Sequence, residues 1–454
     1  MKTSLSIRMF VITAVIVLSS AGRASSAGFA LIEQSVSGLG NAYAGGSAIA
    51  EDASTIFFNP AGMSRLKDGQ FIAGGHIIMP SAKFHNEGST HVLQQLTHVP
   101  LTGGNGGDGG VAGFAPNLYV TKKLNDRFTI GLGINAPFGL ATEYNDTWVG
   151  RYHAINSDVI TVNINPSVSY RINDQLSLGA GLSAQYIKAK LSNAIDFGTL
   201  DAAGLLPGVP KGALHLVPQL ADGFAELEGD DWGIGFNLGL LYEMNQNTRL
   251  GLAYRSRVKH TLSGNVDFSN VPAPLAGVFK HDTISADITL PDTLSASVAH
   301  QVTPEWTVMA DVTWTNWSLF DELRINFDSP ALAPRPSVTT TNWKDNFRYS
   351  IGVTYAPKTS WTYRLGLAYD QTPIRSAQYR TPRIPDGSRF WTALGIGYKV
   401  SDKLSLDLGY AHLFVSDPQV AKSLSNPEDA TRGGLTGRYD AHVDIVSGQV
   451  TYRF

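Results

Sequence analysis

The chain is expected to be all-β: a transmembrane antiparallel β-barrel of about fourteen strands, with an N-terminal plug in its lumen. Three observations predict this. A short polar turn followed by an alternating strand recurs along the chain, aromatic residues bracket those strands, and tight turns trade places with long connecting segments.

The turns come first. Asn125-Asp126-Arg127 precedes a strand from Phe128, Asn173-Asp174-Gln175 one from Leu176, and Asn245-Gln246-Asn247 one that includes Arg249 and Leu250. Thr303-Pro304-Glu305 precedes Trp306, Lys358-Thr359-Ser360 precedes Trp361, and Ser401-Asp402-Lys403 precedes Leu404. Polar turn formers between period-2 runs read as hairpins. Between the hairpins lie long segments, roughly 84–114, 138–157, 193–230, 267–281, 328–342, 371–387 and 416–437. Six hairpins supply twelve strands, and runs near 69–83 and at the C-terminus add one at each end. An even total with both termini on the short-turn side is what a single-chain bacterial barrel requires.

Alternation assigns the faces. Leu176, Leu178, Ala180, Leu182, Ala184 and Tyr186 form a lipid face, opposite Ser177, Gly179, Gly181, Ser183 and Gln185. Trp306, Val308, Ala310, Val312 and Trp314 form another, as do Trp361, Tyr363, Leu365, Leu367 and Tyr369. Aromatics at both ends match the two interfacial belts of a membrane barrel. The last strand carries Val446, Gly448, Val450, Tyr452 and a terminal Phe454 on one side, a finish that resembles the signature of bacterial outer-membrane barrels.

At the other end, Lys2 and Arg8 precede a short apolar run from Met9 to Leu18, with small residues at Ser25 and Ala27. This reads as a secretory signal peptide over 1–27, so the mature chain is expected to start at Gly28. No later stretch reaches the ~18 apolar residues of a transmembrane helix. A hydrophobic content of 43% would also suit a soluble secreted protein, but a barrel with alternating faces gives the same average. The absence of cysteine argues against a disulfide-stapled domain. A formal charge of −3 points to neither nucleic acid nor a basic membrane-surface role.

Residues 28–68 do not read as barrel strands, and about forty residues are enough to fill a lumen; the barrel is expected over 69–454. The run Ser37-Gly38-Leu39-Gly40-Asn41-Ala42-Tyr43-Ala44-Gly45, the step Ala50-Glu51-Asp52-Ala53 and the motif Asn59-Pro60-Ala61 resemble the N-terminal hatch of FadL-type long-chain fatty-acid and hydrocarbon transporters. Gly139-Leu140-Ala141-Thr142-Glu143-Tyr144-Asn145-Asp146 and Ile384-Pro385-Asp386-Gly387-Ser388-Arg389-Phe390-Trp391 are similarly placed blocks, so the resemblance covers the whole mature chain. It implies a hatch-closed barrel of fourteen strands in the outer membrane of a Gram-negative bacterium, opened sideways by a kink in the third strand. That strand, by the turn count, starts at Phe128 and is interrupted by Asn135, Pro137 and Gly139. A proline removes a ladder donor and a glycine adds freedom, which suits a bulge; Pro137 ending the strand at its loop is the simpler alternative. The resemblance further implies a long-chain fatty acid or a neutral hydrocarbon as cargo, a monomer surrounded by outer-membrane lipid and lipopolysaccharide, and no cofactor.

Two segments are too apolar for ordinary exposed loops. One carries Leu205, Leu206, Leu214, Leu216, Leu220 and Phe224, the other Leu275 and Phe279. Exposed apolar patches mark binding surfaces, and in the resembled family these loops form an outer groove; loop elements packing on each other is the plainer reading. For the lumen, Phe29 and Leu31 are hatch candidates, and a carboxylate cargo calls for an inward cation. Arg255, Arg257 and Lys259 alternate with Tyr254, Ser256 and Val258 and are expected inside, as are Lys344, Arg348, Arg364 and Arg389, many of them paired with Asp311, Asp370, Asp407 or Glu243. Lys188 and Lys190 fall on the lipid side. Fatty-acid transporters of the family place basic residues near positions that correspond here to Asn193 and Thr339, neither basic, which keeps a neutral or aromatic hydrocarbon open as cargo.

Other classes fit less well. His153, His300, His412 and His442 are scattered with no catalytic spacing, so an enzyme is not expected. No metal-ligand cluster is visible, and the Gly103–Gly110 run has no helix after it to cradle a phosphate. A general porin would need an open lumen.

Overall fold

The computed structural model describes residues 28–94 and 100–454; the expected signal peptide lies outside them. One sheet of 20 strand segments closes on itself, because β1 (Gln70–Asn86) pairs along its whole length with β20 (Leu435–Arg453). Between them run β2 (Gly113–Lys123), β3 (Phe128–Asn135), β4 (Gly139–Glu143), β5 (Asn156–Arg171), β6 (Leu176–Asp196) and β7 (Asp222–Glu243). Then come β8 (Thr248–Arg255), β9 (Val258–Ser269), β10 (Asp282–Leu290), β11 (Thr293–Gln301), β12 (Trp306–Thr315), β13 (Glu322–Phe327) and β14 (Ser337–Thr340). β15 (Asn346–Tyr355), β16 (Trp361–Asp370), β17 (Arg389–Lys399), β18 (Leu404–Val415) and β19 (Gln419–Lys422) complete the wall. Six strands are interrupted midway (β3/β4, β8/β9, β10/β11, β12/β13, β14/β15 and β18/β19), so the segments make a closed antiparallel barrel of 14 strands.

All six expected hairpin turns are present. At three of them an Asn side chain closes the turn on the strand behind it: Asn125 Oδ1 accepts from Phe128 N, Asn173 Oδ1 from Leu176 N and Asn245 Oδ1 from Thr248 N, at 2.9, 2.8 and 2.9 Å. The outward residues are the expected ones, with Leu178, Leu182, Val308 and Leu365 all exposed. Near the tight turns Trp306 stacks on Tyr355 and Trp361 packs on Tyr398, each pair 4.5 Å apart. β6 and β7, of 21 and 22 residues, are about twice the ~10 residues needed to cross a bilayer, so they rise well beyond it. The segment expected as a loop over 193–230 is therefore shorter, and Phe224 and Leu227 are strand residues.

Two interruptions change which side chains point inward. After Arg255 the ladder skips to Val258, and the buried set becomes Ser256, Val258, His260 and Leu262. An extra residue in one strand resets the period-2 alternation. Arg257 and Lys259 are consequently exposed, correcting the expectation that they face the lumen; Arg257 pairs with Asp292 at 3.2 Å, at the matching break between β10 and β11. Lys344 is also exposed, because the irregular stretch before β15 buries Trp343 instead.

Residues 28–68 fill the lumen with short helices: α1 (Val36–Gly40), α2 (Gly46–Ile49), α3 (Thr55–Phe58) and a 3-10 turn over Pro60–Arg65. Asn59 sets this last turn, its Oδ1 accepting from Ala61 N at 3.0 Å while its Nδ2 donates to Ser47 O and to Leu240 O of the wall at 2.6 and 2.9 Å. Pro60 suits the first position, where no N–H is needed. Close docking relies on glycine in the wall: a Cβ on Gly366 would lie 2.1 Å from the Asn41 carbonyl carbon. Gly366→Val is therefore expected to leave the barrel folded, judged by heat-modifiable electrophoretic migration, but to unseat the plug and raise single-channel conductance. Conductance as low as the parent's would mean that this contact does not hold the plug.

Candidate functional site: a lumen cavity and an outer groove

The third strand breaks where expected. Asn135 pairs with Asn163 and Gly139 with Ile160, so β3/β4 uses one more step than β5 and bulges at Ala136-Pro137-Phe138. β2 pairs with β3 only from Leu118 to Lys123, and its Gly113–Asn117 stretch ladders to β1 alone. β4 ladders to β5 alone. The wall thus lacks a ladder between the upper half of β2 and β4 among the described residues.

The kink's backbone groups turn to the hatch instead. Leu31 N donates to Pro137 O at 2.8 Å, Gly139 N to Phe29 O at 2.9 Å, and Gln34 Nε2 to Ala136 O at 2.8 Å. Thr161 takes the Phe138 pair, its Oγ1 accepting from Phe138 N at 2.9 Å and donating to Phe138 O at 2.6 Å. The Asp386 carboxylate, from the block around Ile384, accepts from Thr372, from Arg389 and from the backbone of Gly28.

Behind the kink lies a cavity. Leu31, Tyr43, Phe57 and Phe58 of the hatch line it together with Phe138 and Trp317 of the wall. Its charged members are Arg255, Arg348, Asp311 and Asp370. Neither arginine has a carboxylate within ion-pair distance among the described residues; both grip the hatch. Arg255 Nη2 donates to Phe57 O at 2.9 Å with its guanidinium 4.3 Å from the Phe57 ring. Arg348 Nη2 donates to Ala42 O, and its guanidinium lies 5.3 and 5.7 Å from the rings of Trp391 and Tyr43. Arg364 and Arg389 do face inward but are spent on acids, Arg364 on Asp407 at 2.8 Å and on Glu51 of the hatch, Arg389 on Asp386. Arg257 and Lys344 are not in the lining.

Above the cavity stands a layer of aromatic rings. Phe29 packs on Trp317 at 4.8 Å, Trp317 on Trp343 at 4.9 Å and Trp343 on Phe320 at 4.8 Å, with Phe138 6.0 Å from Phe29. Phe29, a sequence candidate for the cavity, belongs to this layer. Tyr379 packs against the layer and also lines an outer groove. Of the outer residues singled out in the sequence, Leu205 and Phe279 line the groove. Leu206 and Leu275 are buried behind it with Phe197 of α4 (Phe197–Ala203), and Leu214 and Leu216 pack on that cluster. Leu220 is exposed and Phe224 half-buried, both outside the lining. Lys188 and Lys190 face outward as expected, paired with Glu228 and Glu226 at 2.6 and 2.8 Å.

Sequence reasoning missed the aromatic layer and Glu33. Trp317, Phe320 and Trp343 sit in interruptions of strands nine and ten, where no periodicity flags them. Glu33 is fully buried in the hatch, and its carboxylate finds no partner beyond its own backbone. Burial pushes its carboxyl up to about 7, against the pull of Arg389 and Arg348.

The family model described as outer membrane protein transport protein (OMPP1/FadL/TodX) matches residues 17–454. The long-chain fatty acid transport protein of Escherichia coli K12 is 33% identical to this chain, over 86% of it and 88% of the relative. Outer membrane protein P1 of Haemophilus influenzae is 33% identical over 88% of each chain. Among solved structures, a Pseudomonas aeruginosa FadL homologue superposes with a TM-score of 0.83 at 26% identity, covering 94% of this chain and 100% of that one.

Glu33 gives a pH-dependent signature. Its folded pKa lies above the free value, so the stability that protonated Glu33 confers is present at low pH and lost as pH rises through about 7. Glu33→Gln, which cannot ionise, is expected to flatten the fall in thermal stability between about pH 5 and about pH 8. Superimposable pH profiles for variant and parent would show that Glu33 titrates normally.

Proposed function

Because the chain belongs to the OMPP1/FadL/TodX family of outer membrane transport proteins, we propose that it is an outer-membrane channel for the uptake of long-chain fatty acids. The observation that carries the cargo is the pair Arg255 and Arg348: two cations in the cavity lining, with no carboxylate within ion-pair distance among the described residues, holding hatch carbonyls that an incoming carboxylate would replace. Such an exchange leaves the guanidinium groups better satisfied, since a charge-assisted bond is roughly twice as strong as one to a neutral acceptor. It also frees Phe57 O and Ala42 O from the wall, which loosens the hatch on binding.

The path runs from the outer groove, through the aromatic layer, to the cavity, and then sideways between β2 and β4. A lateral exit suits an acyl chain, because passing through water would forfeit about 0.8 kcal/mol for each CH₂. The Escherichia coli relative is a long-chain fatty acid transport protein, which agrees with this reading. Nothing in it calls for chemistry on the cargo; the chain acts as a channel and not as an enzyme. A neutral or aromatic hydrocarbon is the second reading, favoured by the neutral side chains at Asn193 and Thr339.

Arg348→Ala is expected to weaken binding of a long-chain fatty acid by about 10- to 100-fold, the cost of a hydrogen bond to a charged group, while a matched alkane is unaffected. Equal affinity of the parent for acid and alkane would move the function to hydrocarbon uptake. Deleting Ala136, which removes the extra step in strand three without touching the cavity lining, is expected to close the wall and abolish delivery of fatty acid to the membrane without loss of binding. Normal delivery by that variant would rule out the sideways route.

A further inference from the structure

Four ionisable side chains meet in one buried patch where the hatch lies against strands ten to twelve. The ladder sets Arg348 of β15 opposite Asp370 of β16, and Asp370 opposite Arg389 of β17. All three are buried, and Arg348 and Asp370 line the cavity. Glu33 is the fourth; it follows Leu31 and Ile32 of the hatch, which line the same cavity. Its carboxyl feels the charges of Arg389, Arg348 and Asp370 and lies near the Tyr43 hydroxyl.

The neighbouring groups are engaged elsewhere. Arg389 is held by Asp386, whose backbone oxygen accepts from Arg380 Nε at 2.8 Å; Arg380 also donates to Gln419 O. Arg348 holds Ala42 O and, at 3.4 Å, Ser350 Oγ. On β1, His76 lies between Ser447 Oγ at 2.7 Å and Asn117 Nδ2 at 3.0 Å. Neither Glu33 oxygen finds a partner beyond its own backbone, and the Tyr43 hydroxyl and the Nε atoms of Arg348 and Arg389 are also unmatched. A buried carboxylate in that position is costly, and a neutral carboxylic acid much less so. Asp370 sharpens the difference, because two carboxylates that share the same cations resist ionising together. Burial accordingly keeps Glu33 protonated up to about 7.

We propose that Glu33 sets the cavity's preference between anionic and neutral cargo, by holding a proton whenever an anion occupies Arg348. With Glu33 neutral, Arg348 is free to exchange its hatch carbonyl for a carboxylate. With Glu33 ionised, the two guanidinium groups already face Glu33 and Asp370, so a further anion is repelled while an uncharged chain is not. An arriving negative charge raises the affinity of Glu33 for a proton, so anion binding draws one from solvent. Binding of the anion is therefore tight at low pH and weakens as pH rises through the titration of Glu33. This role rests on the fatty-acid reading above and adds to it a charge gate carried by the hatch.

The test uses hexadecane-1-sulfonate, a chain whose headgroup stays charged and does not titrate, with hexadecanol as its neutral counterpart. Equilibrium binding to the purified full barrel is measured in a neutral detergent at about pH 6 and about pH 9, on either side of the Glu33 titration. The parent's affinity for the sulfonate is expected to fall by about tenfold or more at the higher pH, the effect of one like charge several ångströms away. Hexadecanol binding should stay level. Glu33→Gln is expected to keep the tight sulfonate affinity at both pH values. Sulfonate added to weakly buffered parent at about pH 8 should also take protons from solution, a readout that needs no variant. A flat parent profile, an absence of proton uptake, or an equal fall in Glu33→Gln each overturns the role of Glu33. A parent that binds sulfonate no better than hexadecanol at about pH 6 overturns the fatty-acid reading itself. Heat-modifiable migration confirms a folded barrel before binding is read.

Discussion

Every backbone N–H and C=O in a bilayer must find a partner inside the protein, and this requirement organises the whole molecule. It closes the barrel through the ladder of β1 with β20. It also explains why the break in strand three can exist at all. The carbonyls of Ala136 and Pro137 and the amide of Gly139 leave the wall ladder, yet each is taken up by Gln34, Leu31 or Phe29. The hatch is thus a filler of the lumen and also the missing strand partner of the kink. Withdrawing it would expose polar backbone to lipid, at a cost of about 1–3 kcal/mol for each unsatisfied group.

The same logic governs the charges. Lumen cations that have acids, such as Arg364 with Asp407 and Glu51, hold the hatch rigidly. Those without, Arg255 and Arg348, hold it through neutral carbonyls that a better acceptor can displace. A site in which the protein's own hydrogen bonds are weaker than the ligand's is a site where binding and movement are coupled, because the free energy of the exchange is available to the hatch.

The regular parts of this design are readable in the sequence. Asn-containing turns fixed the hairpins, period-2 alternation fixed the lipid face, and Pro137 marked the kink. The failures have one physical origin: alternation carries information only while a strand is continuous. At Ser256-Arg257 one extra residue turned Arg257 and Lys259 outward, and before β15 an irregular stretch exchanged Lys344 for Trp343. The Leu-rich outer segment proved to be partly groove wall and partly the packed support behind it, a division that composition alone does not make.

On the proposed route, entry and exit are joined through one short segment. Phe29 contributes a ring to the aromatic layer between groove and cavity, and its carbonyl accepts from Gly139 in the kink. Phe138 belongs to the same layer and to the kink itself. On the proposed route a cargo that parts these rings strains the hydrogen bonds between Phe29 and the kink. For an anion this coupling matters more than for a hydrocarbon. An isolated carboxylate among aromatic rings is costly, so it must leave one set of cations only when another is near. On the proposed reading Arg255 with Arg348 receive the carboxylate at the inner end of that step, whereas a neutral chain would need no such pair beside the cavity.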